Sequence, residues 1–387
     1  MEHIPTQPGL RGGGHVVALA LGIPVLVSML ALAIVSGTLE MAREFGALTA
    51  QLVLTVPALV MIAGAALAGY LSERWGRRAV IVASLLIYAV AGLAGGIAPS
   101  LATLVLARVV SGFVGGVLLT SVYAVIGEYF EGTRRESILG LMSTAASVAS
   151  LALLVAMGLV VESFGWRAPF LLYGAALLLV PSALIGLHRG LSAPGASLRW
   201  GPVFARWPLY LLLTAYTIGM YMMVIQGPFL LAAKGIDAPS VIGRYIGLSS
   251  LVGALCGVLY GYARRWLDFR GMFIVISLAI GIGLPLAAWA PDGGWIVLSM
   301  VVVGLGIGII EPTVASELLL RTPEPLHDRA MGVNVAAMFL GQFLNPLVIA
   351  PLRDGPGILF AFTATGMAYL AGAVLFLLVR GSRKATA

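Results

Sequence analysis

Charge is what this chain has least of. Asp, Glu, Lys and Arg make up 10% of it, against roughly 25% for a soluble globular protein, and no stretch gathers them into a water-soluble domain. A soluble enzyme, a nucleic-acid binder and a disordered chain are excluded on that ground. Cysteine occurs once, at Cys256 inside an apolar run, so neither an intrachain disulfide nor a thiolate cluster can form. None of His3, His15, His188 and His327 lies deep in an apolar run, which argues against a metal site. No Gly-Lys-Ser/Thr phosphate loop is present, so nothing supports ATP drive. Long alternating strands are missing too, and the apolar runs exceed the about 10 residues of a membrane barrel strand.

Apolar length is what the chain has in quantity. Of 387 residues 60% are hydrophobic, and the mean hydropathy is +1.03. A spanning helix needs about 20 apolar residues. Apolar length with Pro, Gly and charge punctuation gives twelve spans: 16–38, 48–70, 79–97, 101–127, 138–161, 168–187, 208–231, 241–262, 271–289, 295–319, 330–350 and 357–379. The first lacks a small-residue cleavage site and is read as a retained helix. The one long connection, 188–207, is rich in Pro, Gly, Ser and Arg. The expected fold is all-α and integral to the membrane, with six helices in 1–187, a cytoplasmic linker at 188–207 and six helices in 208–387.

Orientation follows from the basic residues. With the N-terminus in the cytoplasm, 17 of the 23 Lys and Arg residues fall on that side, among them Arg74, Arg77, Arg78, Arg134, Arg135, Arg264, Arg265 and Arg270. That bias is the positive-inside pattern, and it places both termini inside. It also accounts for the net charge of +7 without an anionic partner. All seven Trp residues fall at or near span ends, as an interfacial belt requires. The halves are related by an offset of 192: Gly69 maps onto Gly261, VVSGFVGG at 109–116 onto VVVGLGIG at 301–308, and Gly140 onto Gly332. Two parallel repeats with a site between them near the midplane is a transporter architecture.

The segment GYLSERWGRR at 69–78 resembles the loop pattern of the major facilitator superfamily between its second and third helices. Gly69, Leu71, Arg74, Gly76, Arg77 and Arg78 match, while Glu73 stands where the family usually has Asp. The resemblance implies a conformational latch made of Gly69, Glu73, Arg74, Gly76, Arg77 and Arg78, with Gly69 allowing two helix ends to approach closely. LARVVSGFVGG at 106–116 resembles the family's fourth helix, and MGLVVESFGWRAPF at 157–170 the close of its fifth. The Gly-Pro kink usual in drug/proton antiporters is absent, the positions reading Leu153, Leu154, Met157 and Gly158. The resemblance covers essentially the whole chain.

Within the spans, Arg108 shares a helical face with Gly112, Gly115 and Leu119, with Tyr123 close by. A buried Arg costs at least about 2.5 kcal/mol, so it should find a partner; the family reading is proton coupling or substrate-anion binding, the alternative an Arg snorkelling outward. Glu311 is the one acid deep in a span, on a face with Gly304, Gly308 and Ala315. A carboxyl in a low dielectric disfavours its charged form, which suits a proton carrier; the alternative is a neutral Glu bonded to a backbone carbonyl. Its depth differs from that of Arg108 by about 14 Å at 1.5 Å per residue, which forbids a direct pair. Asn334, Gln342 and Asn345 form an amide stripe, either a cavity wall or interhelical glue. Tyr216, Met220, Met223 and Gly227 share a face, with Gln226 at its edge. Tyr123, Tyr216, Gln226, Asn334, Gln342 and Asn345 are the expected substrate cavity, with no metal.

The expected function is alternating-access transport of a small organic solute without a cofactor, driven by a proton or solute gradient. Short loops and the 69–78 motif resemble small efflux members, so proton-coupled efflux comes first and uptake by symport or uniport second. A membrane enzyme or lipid-handling protein would need an Asp, His or Cys cluster at a membrane face, and a sensor an appended soluble domain. The implied setting is a bacterial inner membrane, with lipid, solute and protons as partners, no nucleic acid, and a monomer.

Overall fold

The computed structural model describes residues 13–130, 132–188, 201–323 and 326–378. Residues 189–200 of the expected linker, and the basic residues beyond 378, lie outside them. Helices account for nearly all of the described residues. In chain order the long ones are α1 Gly13–Phe45, α2 Ala47–Trp75, α3 Arg77–Gly96, α4 Leu101–Tyr129, α5 Gly132–Phe164, α6 Ala168–Gly186, α7 Trp207–Ala233, α8 Pro239–Ala263, α9 Phe269–Trp289, α10 Gly293–Arg321, α11 His327–Asp354 and α12 Ile358–Leu378, with one further turn of helix at Gly201–Phe204. Eleven of these are long and apolar enough to cross a membrane, and α5 adds a shorter apolar stretch, Val148–Phe164. In each unit, the end at which α6 closes or α7 opens is called the linker side below, and the opposite one the far side.

Three spans are irregular where the sequence reads as one apolar run. In α1 the α-helix stops at Leu32, a short 3₁₀ turn covers Val35–Gly37, and a second helix runs Thr38–Phe45. Most of α6, Ala168–Leu179, winds as a 3₁₀ helix. In α7 a π turn occupies Met222–Gln226, ahead of Pro228. Pro228 has no N–H to give the preceding turn, so the ladder shifts there and the Gly227 N–H turns to the Met222 and Met223 carbonyls.

The chain packs as two units. The first takes the described parts of Met1–Gly37, Val53–Leu153 and Ser163–Ser197; the second takes those of Thr38–Leu52, Leu154–Glu162 and Leu198–Ala387. The ends of α2 and α5 nearest the far side therefore pack with the second unit. Within the first, α3 packs on α4 and α6; within the second, α9 packs on α10 and α12. The offset of 192 recurs in the helices: Ala47, Arg77 and Leu101 open α2, α3 and α4, and Pro239, Phe269 and Gly293 open α8, α9 and α10. It recurs in packing as well. A Cβ on Gly112 would lie 2.6 Å from the Pro57 Cα, and one on Gly116 2.2 Å from the Met61 carbonyl oxygen. In the second unit a Cβ on Gly304 would lie 2.7 Å from the Ser249 carbonyl oxygen, and one on Gly308 1.8 Å from that of Gly253. Small residues let helix backbones meet where lipid supplies no hydrophobic drive, and both units use the same register to do so.

Candidate functional site

In the first unit the polar centre is Arg108. Ser100 caps α4 with a reciprocal Ser-Thr103 box, and two turns later Arg108 is 1% exposed. Its Nε donates to the Val53 carbonyl at 3.0 Å, one terminal nitrogen to the Tyr173 hydroxyl at 2.5 Å, and the other to the Leu30 carbonyl. Tyr173 in turn donates to the Met29 carbonyl at 3.3 Å and stacks on Tyr88 and Phe170, with centroids 5.1 and 5.8 Å apart. Met29 and Leu30 belong to the last turn of the α-helix before the break in α1, and the Met29 carbonyl also accepts from the Ala33 N–H at 3.3 Å. A cation suits that negative helix end. Arg108 thus neither snorkels nor takes an acid: it closes the broken end of α1. Gly112 and Gly115 on its face seat Pro57 of α2 and Leu30 of α1, so that face is packed. Tyr123 is 51% exposed.

The second unit holds a buried chain of amides. Gln51 Nε2 donates to Gln226 Oε1 at 2.7 Å, Gln226 Nε2 to Asn345 Oδ1 at 3.1 Å, and Asn345 Nδ2 to the Ile218 carbonyl at 2.7 Å. Arg353 donates to Gln51 Oε1 at 2.6 Å, pairs with Asp354 at 2.7 Å and lies over the Phe229 ring. Gln51, Gln226 and Asn345 are each 0% exposed. Two further contacts tie the ends of α1 and α5 to this unit: Glu162 accepts from the Ser240 N–H at the start of α8 at 3.3 Å, and Arg43 faces Asp237 at 3.6 Å. Gln226 and Asn345 were expected on a cavity wall; here they bond to each other. Gln51 and Arg353 carry no sequence signal beyond a lone amide in an apolar span and a charge at a span end.

The remaining expected residues separate. Tyr216 bonds the Ser277 hydroxyl at 2.7 Å and packs among Phe273, Tyr369 and Phe376, so it belongs to the aromatic core of the second unit. Gln342 is buried, and Asn334 is buried with neither amide atom paired. Glu311 is half-buried in α10, just before Pro312. Among the described residues its carboxylate has no hydrogen bond or ion pair, and Tyr221 of α7 lies within its electrostatic reach. The expected backbone bond of a structural Glu is not made.

On the linker side, Gly76 adopts φ 80° between α2 and α3, a conformation that favours glycine. Arg77 pairs with Glu128 of α4, and Arg74 donates to Tyr70 at 3.2 Å. Glu73 is exposed and Arg78 half-buried. Gly69 differs from expectation. A Cβ there would meet nothing within 4 Å among the described residues; the close approaches in α2 fall at Pro57, Met61 and Gly64. Among the described residues no group of three or more His, Cys, Asp or Glu could hold a metal ion.

Comparison with known proteins adds to this geometry. The chain is 27% identical over 375 residues to the class C tetracycline resistance protein of Escherichia coli, covering 93% of this chain and 91% of that one. It is 26% identical over 337 residues to monocarboxylate transporter 11 of Homo sapiens, covering 79% and 69% respectively. The solved structure of a D-xylose-proton symporter matches with a TM-score of 0.74 at 17% identity, over 96% of this chain and 99% of that one, a likeness of fold. The pattern of the Major Facilitator Superfamily matches residues 21–346. Matched over most of its length and built of membrane-length helices, the chain belongs to the Major Facilitator Superfamily: a multi-pass membrane transporter, not an enzyme, that works by alternating access on a gradient and without a cofactor.

Proposed function

We propose that this protein moves a small organic solute together with a proton, that Glu311 carries the proton, and that the direction is uptake. The observation that carries the reading is Glu311 itself: the one acid deep in a span, half-buried, and unpaired among the described residues. A carboxyl without a salt bridge gains and loses a proton at no cost in broken ion pairs, and Tyr221 lies within its electrostatic reach. Uptake is favoured by Leu153 and Leu154, which stand where the resemblance calls for the antiporter Gly-Pro. Export is the second reading, favoured by the 27% identity over 310 residues to an MFS-type efflux pump of Mycolicibacterium smegmatis. Organic monocarboxylates are the first solutes to assay, on the match to a monocarboxylate transporter.

In this reading residues 1–187 and 208–387 form the two six-helix bundles, and residues 188–207 link them. The chain is a monomer in a bacterial inner membrane, with both termini cytoplasmic, so the linker side is the cytoplasm. Alternating access in this reading breaks and re-forms, once per cycle, the bonds of Gln51, Arg43 and Glu162 to residues 226, 353, 237 and 240. Glu73, Arg74, Gly76, Arg77 and Arg78 form the latch on the other side, held in place within the first unit by the Arg77–Glu128 pair, and Arg108 positions the break in α1. Tyr123, Gln226, Gln342 and Asn345 become solute contacts when the amide chain parts. The test is flux in sealed proteoliposomes with an imposed pH gradient, reading solute and proton together. Solute entry with protons down the gradient supports uptake; counterflow supports export; solute flux with no proton movement overturns the coupling.

A further inference from the structure

Polar atoms of three side chains at the linker-side end of the second unit are buried without hydrogen-bond partners. Asn334 is 0% exposed, and neither its amide nitrogen nor its oxygen makes a hydrogen bond. The Tyr210 hydroxyl, on a residue 7% exposed, and Arg206 Nε are unpaired as well. Buried polar atoms are nearly always satisfied, and orphans on neighbouring helices ask for a common cause.

The register of α7 on α11 brings them to one level. Thr214 Oγ1 donates to the Ala337 carbonyl at 3.0 Å, a Cβ on Gly341 would lie 2.6 Å from the Thr214 carbonyl oxygen, and Asn345 donates to the Ile218 carbonyl at 2.7 Å. The two helices therefore run side by side in the same direction, with partner numbers 123 to 127 apart. That offset sets Asn334 level with residues 207 to 211, and Tyr210 is among them. Both face the seam: Asn334 lies two turns before Gly341, and Tyr210 one turn before Thr214. Arg206 immediately precedes α7, is half-buried, and lies within electrostatic reach of the Tyr210 hydroxyl. Trp207 next to it is 61% exposed, as a residue at a membrane interface would be.

We infer that Arg206, Tyr210 and Asn334 form a binding site for an oxyanion, a phosphate or carboxylate group held by one guanidinium, one phenol and one amide. These side chains offer several N–H and O–H donors and one positive charge, and a singly or doubly charged oxygen group satisfies them with charge-assisted bonds. The group could arrive on a membrane phospholipid or on a free solute, and the chemistry is the same for both. The inference stands apart from the proton role of Glu311, since it uses other residues and another readout.

The experiment follows the thermal unfolding of the full-length purified chain. One arm adds inorganic phosphate or benzoate in detergent, with potassium chloride at matched ionic strength as the control. The other compares nanodiscs of phosphatidylcholine with and without phosphatidylglycerol. A rise in midpoint with the soluble anions assigns the site to a free solute, and a rise with phosphatidylglycerol alone assigns it to a lipid headgroup. In Asn334→Leu and Tyr210→Phe the rise should shrink, with apparent affinity falling about tenfold for each bond removed. Without any probe both variants should be at least as stable as the parent, because each removes unpaired buried atoms. Three results would overturn the site: no probe stabilises the parent, chloride matches the probes, or the variants respond as the parent does. Loss of stability in both probe-free variants would also overturn it, by showing the atoms already paired.

Discussion

Replacing Arg108 with Leu removes three hydrogen bonds in one step, to the Val53 carbonyl, the Leu30 carbonyl and the Tyr173 hydroxyl. Hydrogen bonds between helices in membranes are worth about 0.6 kcal/mol on average and up to about 1.7. Three of them come to roughly 2–5 kcal/mol. Removing the buried cation relieves its own desolvation, but Leu cannot pair the carbonyls it leaves behind, at about 1–3 kcal/mol each. Lys supplies a point charge without the planar fork, so it should keep one or two of the bonds and fall between Leu and the parent. The assay is reversible unfolding of the purified protein by a denaturing detergent, followed by helical circular dichroism. Hydrogen exchange at residues 33–37 reports whether the end of α1 loosens first. If Arg108→Leu unfolds at the parent's midpoint, with unchanged exchange there, the account of Arg108 as the cap of a broken helix is refuted.

The other predictions address the remaining contacts. Gln51→Leu cuts the bonds to Gln226 and Arg353; thiol labelling of a cysteine placed at the buried residue 222, one turn before Gln226, should speed up at least about fivefold, as a coupling of 1–3 kcal/mol requires, and unchanged labelling would remove the gate role. Arg77→Ala and Glu128→Ala should each slow turnover while the protein still inserts, because they remove the same ion pair; normal transport in both would leave the loop as a topology signal. Gly308→Leu drives a Cβ into the Gly253 carbonyl and should abolish the folded peak in size-exclusion chromatography. Gly69→Ala meets open space and should change stability by less than about 0.5 kcal/mol; the reverse order of these two would contradict the packing described.

The sequence discloses most of the fold because membrane helices are set by apolar length, and residues such as Gly112, Gly116, Gly304 and Gly308 carry their packing role in their size. Equal spacing of those glycines across the two halves shows the repeat before any coordinate does. The break in α1 is illegible: Ala33, Ile34 and Val35 continue the apolar run, and only the partners of Arg108 reveal that the helix ends there. Side-chain destination is illegible for a related reason. Helical periodicity places Tyr216 on a face without saying what covers it, and the aromatic rings of Phe273, Tyr369 and Phe376 do. Gln51 and Arg353 lie 302 positions apart, so no local pattern joins them. Glu311 stood out because a lone acid in a span is costly wherever it points.

Glu311→Gln, assayed in two modes, tests the central claim most directly. Gln keeps the size and most of the hydrogen bonding of the acid but cannot exchange a proton. If Glu311 carries the coupled proton, transport driven by a pH gradient is abolished, solute exchange at equal pH on both sides survives, and the folded yield is unchanged. Gradient-driven transport at the parent's rate in that variant would contradict the account.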